Sequence, residues 1–175
     1  VEVPERQGWV VQRSEEFMNL ALSGENPELT WHDDPSAVAV QLFTSGTTGE
    51  PKAALLRHEH LVSYILGSVE FMGAGEEEAA LVSVPPYHIA GISAVMSNIY
   101  ACRHIVQLPN FDPAVWLTLC AEESVTSAFV VPTMLSRIIE SLQQSAMESE
   151  ALASIRSIAY GGGKMPVPVI EHALA

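Results

Sequence analysis

Apolar positions along the chain fall into short runs separated by longer amphipathic stretches. Ala37–Phe43 (AVAVQLF) is a continuous apolar run of strand length and predicts a buried strand. After a polar glycine loop, a helical pattern runs from about Glu59 to Met72, with Val62, Ile65, Leu66 and Val69 on one face. Ala80–Val84 and His104–Leu108 are strand-like, and Ile92–Tyr100 between them has helical character. Asp112 is a suitable N-cap with Pro113 at the first helical position, opening a helix to about Glu123. Ser127–Val131 is another strand, Pro132 opens a helix to about Gln144, and Ile155–Tyr160 leads into Gly161-Gly162-Gly163. A last helix from about Pro166 is still running at Ala175, as though cut from something larger. Before all of these, Ser14 with Glu15 and Glu16 marks a helix start, followed by Phe17, Leu20 and Ala21 as an apolar stripe.

Short apolar strands alternating with amphipathic helices predict an α/β fold with a largely parallel sheet and crossover helices. The glycines and prolines before Ser36 divide the chain into an acidic lead-in, residues 1–35, and an α/β body, residues 36–175. No internal repeat is visible. In such sheets ligands sit at the carboxyl ends of the strands, where loops meet helix N-termini.

Composition narrows the function. The 175 residues are 48% hydrophobic and 17% charged, which suits a packed core and excludes a disordered scaffold. A formal charge of −13 with no Lys/Arg cluster argues against nucleic acid as a partner. Ala79–Cys102 lacks Asp, Glu, Lys and Arg, but Pro85, Pro86, His88, Gly91 and Asn98 break it up, so no transmembrane segment is expected. Cys102 and Cys120 match no zinc spacing and are expected to be small buried hydrophobes. With no basic leader before an apolar stretch, a cytoplasmic setting is expected.

The sharpest chemical signal is LFTSGTTGEPK, Leu42–Lys52. Thr44, Ser45, Thr47 and Thr48 are interleaved with Gly46 and Gly49, and Lys52 closes the loop after Pro51. Glycines let backbone N–H groups approach an anion, hydroxyls add rotatable donors, and a lysine adds a mobile point charge. One charge-assisted contact of this kind contributes about 1.5–3 kcal/mol. The spacing does not fit G-x-x-x-x-G-K-[ST] or G-x-G-x-x-G, so neither a Walker loop nor a dinucleotide site is indicated.

T-S-G-T-T-G-x-P-K instead resembles the signature loop of the AMP-forming adenylating enzymes: acyl- and aryl-CoA synthetases, luciferases and peptide-synthetase adenylation domains. Pro85-Pro86-Tyr87-His88-Ile89-Ala90-Gly91 resembles that family's second element, and Ala159–Pro166 (AYGGGKMP) resembles its glycine turn beside the adenylate. The resemblance implies part of the large N-terminal domain of an acyl-CoA synthetase-like fold. It implies a parent that activates a carboxylic acid with ATP, Mg²⁺ and coenzyme A through an acyl-adenylate.

By this match Thr44, Ser45, Gly46, Thr47, Thr48, Gly49 and Lys52 would hold the β- and γ-phosphates, with Glu50 facing solvent. His88 would be the catalytic residue at the edge of the acyl and adenylate pocket. Tyr87, Gly161, Gly162 and Gly163 would line that pocket, and Val131, Pro132 and Thr133 would fall on the acyl tunnel. Amino-acid-activating members carry an Asp for the substrate ammonium, and Ser83–Cys102 offers no Asp or Glu. An unpartnered buried ammonium is costly, so an uncharged fatty or aryl acid is favoured.

Departures from the pattern also matter. Ala53 follows Lys52 where the family has Gly, and Lys164 stands where a small residue is usual, which puts a charge at the pocket edge. No Tyr-Gly-x-Thr-Glu or Thr-Gly-Asp element occurs in these residues, so the ribose, metal and catalytic-lysine contributions are expected from a longer parent. The 175 residues alone are then expected to be inactive. Two alternatives stay open: a non-catalytic nucleotide- or phosphate-binding module, and an amino-acid-activating adenylation domain. His58-Glu59-His60 is expected on a solvated surface rather than as a metal site, and Glu76–Glu78 as a polar loop.

Overall fold

In a computed structural model the described residues are 19, 23–24, 33–44, 52–144 and 152–174. The chain divides into two units, Val1–Asp33 and Asp34–Ala175, and every strand described lies in the second. The helix expected around Ser14, Phe17, Leu20 and Ala21 falls outside the described residues.

β1 (Val38–Thr44) and β2 (Lys52–Arg57) pair antiparallel as a separate two-stranded ribbon. α1 (His58–Ser68) follows directly. Then come β3 (Ala79–Val82), α2 (Ile89–Tyr100), β4 (His104–Gln107), α3 (Pro113–Glu122), β5 (Ser127–Val130), α4 (Pro132–Gln144), β6 (Ser157–Tyr160) and α5 (Val167–Leu174). The four later strands form one parallel sheet in the order β4-β3-β5-β6. All four residues of β3 are buried, as a strand inside a parallel sheet covered on both faces requires.

One face of that sheet carries the main core. Leu81, Val106, Ala128 and Val130 pack with Trp116, Leu117 and Cys120 of α3 and Leu135 and Ile138 of α4. Trp116 and Leu117 are wholly shielded from solvent, and each such side chain contributes about 1.5–3 kcal/mol. α3 begins where the sequence predicts: Asp112 Oδ1 accepts from the N–H groups of Ala114 (2.9 Å) and Val115 (3.0 Å). At the amino end of the sheet buried Thr126 ties strands together. Its Oγ1 accepts from Ala79 N at 3.1 Å and donates to Ala79 O at 2.9 Å.

A polar clip closes the same end. Arg103 donates from Nε to Glu78 Oε2 (2.9 Å) and from a terminal nitrogen to Asn98 Oδ1 (2.8 Å). Glu76–Glu78 form the expected polar loop before β3, and the Glu78 side chain joins the end of α2 to the start of that strand. The Arg103 hydrogen bond, helped by Gly75 N, holds the Glu78 carboxyl below its ordinary value of 4.5.

Several expectations need correction. β1 is a ribbon strand, not a buried one: Phe43 is 71% exposed, because a two-stranded ribbon covers neither of its own faces. On α1 the buried pair is Leu61 and Ile65, while Val62 and Leu66 are exposed. The run LVSYIL offers two i,i+4 stripes one residue apart, about 100° round the helix, and packing selects the first. The helix ends at Ser68, with Val69 extended, rather than at Met72. α2 begins at Ile89, since the His88 carbonyl accepts from the N–H groups of Gly91 (3.0 Å) and Ile92 (3.3 Å). Cys120 is buried as expected, but Cys102 is exposed, in a turn at φ +58°.

Burial pushes the Cys120 thiol up to about 12, so its thiolate is scarce at neutral pH. Iodoacetamide on the folded protein should therefore label Cys102 and spare Cys120 until denaturant is added; native labelling of Cys120 would contradict this packing. The Glu78 pair gives a second prediction. A depressed folded-state pKa stabilises above the unfolded value and loses that contribution as pH falls. Glu78→Gln should cost about 0.5–1 kcal/mol at pH 7. The gap from wild type, read by urea denaturation, should narrow as pH drops below 4.5.

Candidate functional site

The order β4-β3-β5-β6 fixes where a ligand can sit. From β3 the chain crosses through α2 to β4 on one side, and from β5 it crosses through α4 to β6 on the other. The carboxyl ends of adjacent β3 and β5 therefore release their chains in opposite directions and leave a crevice between them. His88 caps α2 at one lip, and Val131 precedes Pro132 of α4 at the other.

The His88 lip is held by a very close backbone approach. A Cβ on Gly91 would lie 2.4 Å from the Pro85 carbonyl oxygen and 2.8 Å from that of Val84. Only glycine lets the first turn of α2 fold this tightly over the Pro85-Pro86 turn. His88 N donates to Pro85 O at 3.1 Å, which fixes the backbone of the lip. The side chains are less confined. Tyr87 is 70% exposed, its ring centroid 4.8 Å from that of the imidazole, and the imidazole caps no helix N–H.

Gly161, Gly162 and Gly163 form the turn after β6, across β5 from the histidine. Gly162 is at φ +78°, a conformation that favours glycine. A Cβ on Gly161 would come within 3.0 Å of Phe129 Cζ, so the turn lies close against the end of β5. Met165 then enters the core, while Lys164 before it is exposed.

Between α2 and the sheet runs a groove of about 440 Å³, mostly apolar, within the range of small-molecule pockets. Ile89 and Ala90 line it at the crevice end, with Val82, Phe129 and Ala159 on the strands and Tyr64 on α1. Ser93, Ala94 and Ser97 of α2 keep it open by being small.

The Ser/Thr/Gly loop joins the two strands of the ribbon. Its ends are pinned, since Thr44 and Lys52 are the terminal partners of the β1–β2 ladder. Ser45, Gly46, Thr47, Thr48 and Gly49 themselves fall outside the described residues, as does Glu50. The ribbon is not hydrogen-bonded into the parallel sheet, so strand pairing unites Tyr87, His88 and the three glycines but not the phosphate loop. Among the described residues no three His, Cys, Asp or Glu side chains gather as a metal site. His60 Nδ1 accepts instead from Arg57 N at 3.2 Å.

The sequence profile of the AMP-binding enzymes matches residues 2–175. The chain belongs to the AMP-binding enzyme family. A 2-succinylbenzoate–CoA ligase of Bacillus cytotoxicus is 31% identical over 130 residues, covering 74% of this chain and 26% of that protein. The O-succinylbenzoate coenzyme A synthetase of Bacillus subtilis, solved with AMP, superposes with a TM-score of 0.67 at 28% identity. That match covers 81% of this chain and 28% of the synthetase. ATP-bound MatB from Rhodopseudomonas palustris gives 0.74 at 26% identity, over 90% of this chain and 30% of MatB. The chain thus spans about a quarter of the length of the curated relative. Its fold is part of the N-terminal domain of acyl-CoA synthetase-like enzymes.

For this member of the AMP-binding enzyme family, sequence reasoning missed the groove. A signal was present: Ala90, Ser93, Ala94 and Ser97 follow i,i+3/i+4 spacing on α2, with no large side chain among them. Gly91 supplies the test. Gly91→Ala must separate α2 from the Pro85 carbonyl, and should cost about 1–3 kcal/mol in urea denaturation. A midpoint equal to wild type would show the approach to be looser than 2.4 Å implies.

Proposed function

We propose that the protein carrying this chain is an ATP-dependent carboxylic acid–CoA ligase acting through an acyl-adenylate, with an aryl or fatty acid as substrate. The crevice at the β3/β5 carboxyl edge carries the reading, with His88 on one lip, the glycine turn across β5, and an apolar groove running inward from it. Membership of the AMP-binding family supports it, as do the CoA ligases among the relatives. The succinylbenzoate ligases favour an aryl acid.

The chemistry distributes over these parts. A carboxylate oxygen of the acid attacks the α-phosphorus of ATP. The new O–P bond forms as the bond to the bridging α–β oxygen breaks, and its electron pair leaves with pyrophosphate. Thr44, Ser45, Gly46, Thr47, Thr48, Gly49 and Lys52 hold the leaving phosphates, because donors aimed at developing charge lower the barrier. Tyr87 and His88 position the carboxylate, and Gly161, Gly162 and Gly163 let backbone approach the adenylate. A CoA thiolate then attacks the acyl carbon and AMP departs. The acid's apolar body occupies the groove beside α2. Mg²⁺ has no carboxylate set among the described residues; such an ion is commonly held largely by the nucleotide's own phosphates. We place the enzyme in the cytoplasm; no helix among the described residues is long and apolar enough to cross a membrane.

The 175 residues by themselves should release no pyrophosphate above a Lys52→Ala control. In the full-length protein, Lys52→Ala should lower acid-dependent pyrophosphate release by about two orders of magnitude. Retention of ATP binding with no release for any acid would replace the ligase by a non-catalytic nucleotide-binding module.

A further inference from the structure

Ser97 of α2 is left unexplained by packing. Its Oγ is buried, yet it has no hydrogen-bond partner among the described residues. The hydroxyls of Ser68, Thr118 and Ser136 on other helices donate to the carbonyl oxygen four residues back, and that of Ser97 does not. Ser83 and Trp116 also carry a buried polar atom without a partner, but of these residues only Ser97 lines the groove beside α2. A buried hydroxyl with nothing to bond is unfavourable in a packed core and suits a ligand that brings the partner.

The groove grades from apolar to polar along its length. At the crevice end Val82 pairs with Phe129 and Phe129 with Ala159, and all three line it. Two residues back along each strand, and so on the same face, Ala80 pairs with Ser127 and Ser127 with Ser157. This second row also lines the groove and lies about 7 Å deeper. On the opposite wall α2 runs back from the crevice, and Ser97 lies about 10 Å along its axis from Ala90. Its neighbour Asn98 bonds Arg103 in the clip at the amino end of the sheet, so Ser97 and the serine row share the inner end of the groove. No Lys, Arg, His, Asp or Glu is among the described residues that line it.

We propose that Ser97 is a specificity residue that bonds a neutral hydroxyl carried by the acid about 10 Å from its reacting carboxylate. Ser127, at the same end of the groove, is the second partner. The inference rests on the ligase reading and refines it. The carboxylate stays at the His88 lip, the apolar body lies along Val82 and Phe129, and the hydroxyl reaches the serines. A serine hydroxyl both donates and accepts, so two of them can serve the O–H and a lone pair of the substrate hydroxyl together. A second carboxylate does not suit this depth, because no charged side chain lines the groove to meet it.

The test uses the full-length protein and acids of matched length: octanoate, 8-hydroxyoctanoate and octanedioate, with 4-phenylbutyrate and its para-hydroxylated counterpart as an aryl pair. Wild type should favour the hydroxylated acid of each pair in kcat/KM by about tenfold, with octanedioate the poorest of its set. Ser97→Ala should abolish most of that preference, mainly through KM, and Ser127→Ala should remove a smaller part of it. In the absence of acid, Ser97→Ala should not lower the urea midpoint, since it removes a hydroxyl that packing leaves unpaired. A lower midpoint with an equal loss for both acids of a pair would make Ser97 a structural residue and overturn the proposal. Acid-dependent pyrophosphate release with equal kcat/KM for plain and hydroxylated acids, or with octanedioate preferred, would overturn it and leave the ligase standing. If no acid raises pyrophosphate release in wild type, the ligase reading fails and this proposal with it.

Discussion

Everything at the site depends on β3 being buried on both faces. Ala79, Ala80, Leu81 and Val82 are each almost inaccessible, with β4 on one side and β5 on the other. Such a strand is stable only if helices cover both sheet faces, and short connections allow that only when they leave adjacent strands in opposite directions. α2 covers one face, α3 and α4 cover the other, and the crevice between β3 and β5 is the geometric residue of that arrangement. The site is therefore a consequence of how the core closes, before any catalytic side chain is considered.

The loops at the crevice then divide the work between backbone and side chain. Gly91 and Gly162 allow approaches and dihedrals that other residues would strain, and these set the positions of His88 and of the glycine turn. Their side-chain neighbours, Tyr87 and Lys164, remain exposed. Rigid backbone beneath free side chains suits a site that must accept ligands before it contacts them. The strand-tying hydrogen bonds of Thr126 and the Arg103–Glu78 pair lie at the opposite end of the sheet, where they hold the scaffold without crowding the crevice.

Much of this was legible in the chain, for identifiable reasons. The parallel strands and their helices could be read because their apolar runs are bounded by strong punctuation: Asp112-Pro113, Pro132, and the three glycines at 161–163. The family could be read because hydroxyls, glycines and a lysine stand in the pattern T-S-G-T-T-G-x-P-K at 44–52. What failed needed tertiary information. Nothing local distinguishes the Leu61/Ile65 stripe from the Val62/Leu66 stripe, or a ribbon strand from a buried one when both read AVAVQLF. Cys102 resembles Cys120 in the sequence, yet one lies in an exposed turn and the other deep in α3. The groove was missed because it is made by small side chains, and small residues in a helix read simply as good packing.

The few cations of this strongly acidic chain divide by chemistry. Several of its arginines support the fold: Arg103 pairs with Glu78, Arg156 with Glu77, Arg57 donates to the Ser36 carbonyl, and Arg137 lies over the Phe111 ring. Planar guanidinium groups suit such fixed, multi-donor contacts. The two lysines, Lys52 and Lys164, stand at the phosphate loop and the glycine turn. A compact ammonium on a flexible stem can follow an anion that moves. Screening confines the remaining negative charge to weak, diffuse repulsion beyond a Debye length. Point charges act inside that length, so the local placement of each lysine counts for more than the formal charge of −13 on the whole chain.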